Sequence, residues 1–438
     1  MSTAVDIRTP LADQTDNSRA PTRRALSADA RLLHASRVAP RLDGDNAIRA
    51  IMNKAKHARL NAAGGWGDHS PMDGIAPAFE AILKNAGRFH AATRYSETHG
   101  QAGLREVIAG KLDPEVFGRR GLTPDQVIIA SGGSTQLGFQ SLLLFGSPVA
   151  LPDPVYANYL DQAELAGLQV VRFPIVGSDG DFLPRSDPDR VLRDFSRICR
   201  DRRPGSVVIT SPDNPTGFIW PDDVLDRLIG IADRHDVAVL LDRAYGPFWF
   251  KERPDHLSWS PATHPNLITL ESFSKSFSLL GLRVGYALAP SAIITRLQAL
   301  SQRLTLCPST LEQEALTAFL TDTSGDAMAA YLEEVRRGYC NAYTTARSTV
   351  TTACPGVRIL EADGGFYLTL RVSSEDEDEA RFCDALFDSQ GLLVVPGGAF
   401  GNTTKGWVRT AFAPHVRDLE RLSRVYQVLG DYLNEWWR

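Results

Sequence analysis

Seven short apolar runs constrain the fold of this chain more than any other feature: VIIAS at 127–131, PVALP at 148–152, VVRFPI at 170–175, VVITS at 207–211, VAVLLD at 237–242, NLITLES at 266–272 and VGYALA at 284–289. Between them lie segments with helical apolar spacing. In 221–236, for example, Val224, Leu225, Leu228, Ile231 and Ala232 share one face. This β-α-β alternation predicts an α/β protein whose mostly parallel, seven-stranded sheet is covered by helices. Beyond about residue 325 the pattern changes to the helical YLEEVRRGYCNAYTTARSTV, then GGFYLTLRV, LLVVPGGAF and WVRTAFA, which predicts a smaller α+β domain. The acidic stretch SSEDEDEA, 373–380, reads as a helix start capped by Ser374. A chain of 438 residues is too long for one ordinary core. The expected division is a flexible arm over 1–45, an N-terminal part of the small domain over 46–75, a large domain over 76–325 and a C-terminal small domain over 326–438.

Charge and cysteine usage narrow the function classes. The net charge is −5, and basic residues cluster no further than Arg119-Arg120 and Arg202-Arg203, so nucleic acid is not an expected partner. The five cysteines are scattered and never in C-x-x-C spacing, which predicts neither a disulfide framework nor a metal site. No apolar run reaches the length that crosses a bilayer, and Asp, Arg, Thr and Pro stand where a signal peptide would be apolar. The expectation is a soluble, cytoplasmic protein without a membrane partner.

In open α/β sheets ligands bind at the carboxyl ends of strands. Four polar motifs follow apolar runs here: GGSTQLG after VIIAS, SPDNPTG after VVIT, DRAY at the end of VAVLL, and SFSK at the end of NLITLE. Gly133, Ser134 and Thr135 open a predicted helix whose free N–H groups favour an anion such as phosphate. Ser272, Ser274 and Arg283 supply further donors, Asp242 can hold a protonated ring nitrogen, and Lys275 can form a Schiff base. Phosphate, basic ring nitrogen and aldehyde together describe pyridoxal 5′-phosphate (PLP).

SFSKSFSLLGLRVG resembles the lysine signature of the class I/II aminotransferases, the fold type I PLP-dependent enzymes. SPDNPTG and DRAYG resemble the Asn-Pro and Asp-x-x-Tyr elements of the same family. With RYSETHG, DPVYANY, GGFY and WVRTAFA in order, the resemblance covers roughly residues 60 to 430. DRAYGPFWF, LLVVPGGAF and GGFYLTL are similar to the subgroup that contains valine–pyruvate aminotransferase. The resemblance implies that Lys275 is the Schiff-base lysine and general base, that Asp242 partners the pyridinium nitrogen, and that Asn214 and Tyr245 bond the ring 3-oxygen. It further implies that Tyr156 stacks on the ring, that Tyr95 reaches the phosphate of a neighbouring subunit's cofactor in a homodimer with shared sites, and that Arg409 grips the substrate carboxylate. Gly64, Gly65 and Trp66 fall in the loop that lines the substrate pocket, where the family's Gly-x-Gly-Asp-Pro reads Gly65-Trp66-Gly67-Asp68-His69.

The expected reaction is transfer of an amino group from an L-amino acid to a 2-oxo acid. The alternatives are a PLP-dependent lyase or cyclase of a biosynthetic pathway, and a PLP-sensing regulator. The latter needs a DNA-binding domain ahead of the fold, for which the polar N-terminal residues leave no room. A nicotinamide dehydrogenase would need G-x-G-x-x-G after a strand, which is absent. Trp66, Phe248 and Trp249 point to an aromatic-lined pocket.

Overall fold

The seven apolar runs become seven strands of one sheet: β1 (Val127–Ala130), β2 (Val149–Asp153), β3 (Val170–Pro174), β4 (Ser206–Thr210), β5 (Ala238–Asp242), β6 (Leu267–Ser272) and β7 (Gly285–Leu288). Their spatial order is β1-β7-β6-β5-β4-β2-β3, with β7 antiparallel to both neighbours. The computed structural model describes residue 51 and residues 53–373 and 379–438. The expected arm and the cap assigned to Ser374 lie outside the described residues.

Alternation along each strand explains the two-sided cover. Val207, Ile209, Val239 and Leu241 pack on one face against α5 (Pro188–Arg202) and α6 (Asp222–Arg234) through Val191, Phe195, Val224 and Leu228. Val208, Leu240, Ile268 and Leu270 point the other way, against α3 (Gly133–Phe145) and α4 (Ala157–Ala166) through Leu137, Leu142, Tyr159 and Ala163. Burial on both faces is why these strands read as continuous apolar runs. α6 starts one residue inside the expected 221–236, because Pro221 has an extended ψ of 134° and sits at the cap, and it ends at Arg234. Ahead of the sheet lie α1 (Ile75–Leu83) and α2 (Ala86–Ala92).

Register places the chemistry on one rim. Thr210, Asp242 and Leu270 lie side by side at the carboxyl ends of β4, β5 and β6. Behind that rim Arg243 donates through Nε to Glu271 Oε1 at 2.7 Å, while Arg119 Nη1 lies 2.7 Å from Asp113 Oδ1 and 3.2 Å from Glu271 Oε1. These buried pairs tie the residue after Asp242 to the residue before Ser272.

A second, antiparallel sheet joins β8 (Ile359–Leu360), β9 (Tyr367–Arg371), β11 (Val395–Pro396) and β12 (Trp407–Ala411) in the order β11-β12-β9-β8. Tyr339, Ala346 and Val350 of α8 (Gly325–Ala353) and Leu422, Val425 and Leu429 of α9 (Leu419–Trp436) cover it. Leu60–Asn61 pairs in parallel with β10 (Leu392–Leu393), and Ala411 N–H donates to Ala62 O at 2.6 Å. The loop after Ala62 is thereby held against the small sheet. We keep the division at 75/76 and 325/326 as a proposal: the large sheet falls within 76–325 and the small sheet within 326–438.

Candidate active site

A cavity of about 390 Å³ opens at the rim of the large sheet. Its wall includes the site residues named from the sequence except Tyr95, Phe248 and Trp249. The volume lies in the range of small-ligand sites.

Lys275 sits in the one-turn helix α7 (Phe273–Ser276), which follows β6 directly. Ser272 starts that turn, its hydroxyl accepting from Ser274 N–H at 3.3 Å. Lys275 Nζ donates to Gly65 O at 2.8 Å, so the first loop meets the lysine. Burial first, and the positive charges of Arg283 and Arg409 second, push its pKa down to about 8, against the pull of Asp242.

Asp242 faces the cavity with both oxygens anchored. Tyr159 Oη donates to Oδ2 at 2.6 Å and Ala244 N–H to Oδ1 at 2.9 Å. Burial nevertheless raises its pKa, so a positive partner in the cavity is what would keep this carboxylate charged.

The anion cup is built from α3 and the loop after α7. The first N–H groups of a helix have no intrahelical partner, and α3 starts with Gly133, Ser134 and Thr135 on the cavity wall. Gly285 of β7 lies beneath them: a Cβ there would come within 2.7 Å of Ser134 N and of Glu271 O. Arg283 adopts a left-handed φ of 56°, uncommon for a side-chain-bearing residue. Its Nη2 donates to Gly132 O at 3.1 Å and its Nη1 to Leu280 O at 3.1 Å, holding the guanidinium beside the cup.

Arg409 projects from β12 between two rings, its Cζ 4.4 Å from the centroid of Tyr367 and 4.9 Å from that of Phe400. Nη2 donates to Ala63 O at 2.6 Å and Nη1 to Asn214 Oδ1 at 3.1 Å. Arg409 Nε and Thr210 Oγ1 are buried without a hydrogen-bond partner among the described residues. Unspent polar atoms in a cavity wall mark where a ligand would bond. With one anion cup, one carboxylate and one amine on the same wall, this donor set fits PLP.

Trp66 lines the cavity as expected, at 43% exposure, and its ring folds back over Gly64, where a Cβ would collide with it. Phe248 and Trp249 do not line it. Phe248 is fully buried against Tyr339 and Phe366, with centroids 5.0 and 4.8 Å away, and Trp249 lies under Arg336, whose Cζ is 4.0 Å from its ring. The turn after Tyr245 carries Phe248 into the core under the small sheet and leaves Trp249 half-buried on the wall of a separate pocket beside Arg336. Tyr95 is 83% exposed and stands away from the cavity of its own chain. The wall residues that the sequence did not single out include two tyrosines: Tyr159, three positions after Tyr156 in DPVYANY, and Tyr367, the last residue of GGFY.

A mostly parallel α/β sheet with a lysine, an aspartate and an anion cup on its rim defines a fold type I enzyme. The chain belongs to the aminotransferase class I and II family, whose model matches residues 65–424. It is 30% identical over 341 residues to aspartate/prephenate aminotransferase of Thermus thermophilus, covering 77% of this chain and 84% of the relative. It is 29% identical over 340 residues to valine–pyruvate aminotransferase of Mycobacterium tuberculosis, covering 75% and 81%. This comparable likeness does not single out the valine–pyruvate subgroup. Among solved structures, an aminotransferase from Mycobacterium tuberculosis matches with a TM-score of 0.76 at 25% identity, over 92% of this chain and 100% of that one. The Thermus thermophilus aspartate aminotransferase with maleate matches with 0.77 at 24% identity, over 90% and 98%, a likeness of fold. The protein is thus an aminotransferase, and its family is PLP-dependent in general. No described helix is long and apolar enough to cross a membrane, and no group of three or more His, Cys, Asp or Glu among the described residues could hold a metal.

Proposed function

We propose that the cavity binds PLP and transfers the amino group of an L-amino acid with an uncharged side chain to a 2-oxo acid. The observation that carries this reading is the amine of Lys275, with its pKa lowered to about 8, on the same cavity wall as Asp242 and the anion cup. When bound, PLP supplies an aldehyde that takes up the amino group and a ring that withdraws electrons from the α-carbon.

The first turn of α3, with Ser272, Ser274 and Arg283, holds the phosphate. Asp242, fixed by Tyr159 and Ala244, keeps a proton on the ring nitrogen, and Tyr156 packs on the ring. Asn214 and Tyr245 face the ring 3-oxygen as donors. Arg409, flattened between Tyr367 and Phe400, orients the substrate carboxylate by paired hydrogen bonds. Lys275, neutral above pH about 8, takes the α-proton and returns it one carbon away. Gly64, Gly65 and Trp66 shield that transfer from water. Ile51, Ala55, Leu393 and Val395 make part of the wall apolar, Val395 lying opposite Arg409 in register, and among the described residues the cationic side chains lining the cavity are Lys275, Arg283 and Arg409, each already engaged. This favours an uncharged substrate side chain over a second carboxylate. Tyr95, exposed on its own chain, is assigned to a partner subunit's phosphate in a homodimer.

The test is the absorption spectrum of the PLP-loaded protein. The expected outcome is a visible band that borohydride abolishes, and its conversion to a near-ultraviolet form by aliphatic or aromatic amino acids but not by aspartate. Lys275→Ala should lack the borohydride-sensitive band and turnover while keeping the wild-type circular dichroism. A Lys275→Ala protein with near-normal activity removes the assignment.

A further inference from the structure

The hydrogen bonds around Asn214 have a polarity that chemistry fixes. A guanidinium can only donate, so the Asn214 atom 3.1 Å from Arg409 Nη1 is the acceptor Oδ1. The amide nitrogen therefore faces Tyr367, and Asn214 Nδ2 donates to Tyr367 Oη at 3.3 Å. Tyr367 Oη also lies 2.6 Å from Tyr245 Oη, and one of these phenols must donate to the other.

The PLP reading decides which. Tyr367 is 1% exposed, and among the described residues Tyr245 Oη is the acceptor that its hydrogen reaches. Both phenols line the cavity, and with the Tyr245 hydrogen given to the ring 3-oxygen of PLP, Tyr245 Oη is left to accept the hydrogen of Tyr367. Tyr367 therefore donates to Tyr245, and the hydrogen of Tyr245 is left to point into the cavity that Tyr245 lines.

We infer that Tyr367 is a positioning residue that sets the direction of the Tyr245 hydroxyl, through a one-way run of donors from Arg409 to Asn214 to Tyr367 to Tyr245. The inference rests on the reading that the cavity holds PLP, whose 3-oxygen would receive the Tyr245 hydrogen. Tyr367 is held on three sides. Its ring lies under the Arg409 guanidinium, its backbone pairs with Ala411, and a Cβ on Gly65 would come within 2.5 Å of its Oη, so the first loop closes against the hydroxyl. The charged and titratable groups that bear on it are Arg409, Tyr245 and Asp213. The same run links the carboxylate-binding arginine to the donor at the other end of the cavity.

The experiment is a pH titration of the visible band of PLP-loaded protein, with steady-state kinetics alongside. A hydrogen bond donated to an oxygen anion lowers the pKa of the system that shares its proton. Tyr367→Phe removes one hydroxyl and keeps the ring, so the midpoint should rise by about half a unit or more. The value of kcat should fall about tenfold with KM little changed. In a Tyr245→Phe background the same substitution should add no further shift, because its target is gone. Replacing Tyr367 with 3-fluorotyrosine, a stronger donor, should move the midpoint down, and it decides the matter if Tyr367→Phe does not fold. A wild-type midpoint in Tyr367→Phe, or a shift that persists undiminished without the Tyr245 hydroxyl, overturns the inference while leaving the PLP reading intact. If the wild-type protein forms no visible band with PLP, both fall together.

Discussion

Lys275 differs from a surface lysine through its surroundings: partial burial, two nearby guanidiniums and a single hydrogen bond to the Gly65 carbonyl. The folded chain holds its pKa near 8 rather than the ordinary 10.5, so the neutral amine becomes the majority form at a lower pH than in the unfolded chain. The initial rate at which cofactor-free protein develops its visible band on adding PLP should therefore rise with pH through a midpoint near 8. Arg283→Met should move that midpoint upward by removing a positive neighbour, and a midpoint unchanged by the substitution counts against the electrostatic account. Lys275, Asp242, Asn214 and Arg409 were legible in the sequence because each is a polar residue beside or within an apolar strand, where a purely structural role is hard to satisfy. Tyr159 and Tyr367 were not, because their partners lie 83 and 153 positions away and nothing local announces them. Phe248 and Trp249 were misplaced for the converse reason: an aromatic beside a motif can fill a core as readily as a pocket.

At the scale of elements, the seven strands were readable to within one or two residues at each end because a sheet buried on both faces demands unbroken apolar runs. The connection between β7 and α3 was not readable. Gly285 belongs to the lysine signature, yet its role is to let β7 pass under the first turn of α3, which carries the cup. Gly285→Ala should push the two elements apart. We expect a loss of about 1–3 kcal/mol in unfolding free energy by denaturant titration, the usual cost of overpacking. PLP affinity should fall at least about tenfold as the cup's donors lose alignment. A variant that loses stability but binds PLP as tightly as the wild type would separate the packing from the cup.

Tyr95 is exposed and stands outside its own cavity, with Leu83 and Phe89 exposed on the helices before it. If it serves a partner's site, Tyr95→Ala and Lys275→Ala should each be nearly inactive alone, yet regain about a quarter of wild-type activity once their subunits are exchanged, because half the dimers would hold one intact site. No recovery after verified exchange would place Tyr95 outside catalysis. The cavity of a single chain already joins distant stretches: Lys275 meets Gly65 across 210 positions, and Arg409 meets Ala63 across 346. A nascent chain on the ribosome therefore carries its lysine for a long interval with no enclosure around it, fully hydrated and as basic as any other. Only after Arg409 has been synthesised and the small sheet has taken up the first loop does that amine become a selective trap for an aldehyde. Capture of the cofactor then follows translation, and the coloured fraction of a preparation counts the molecules that finished folding.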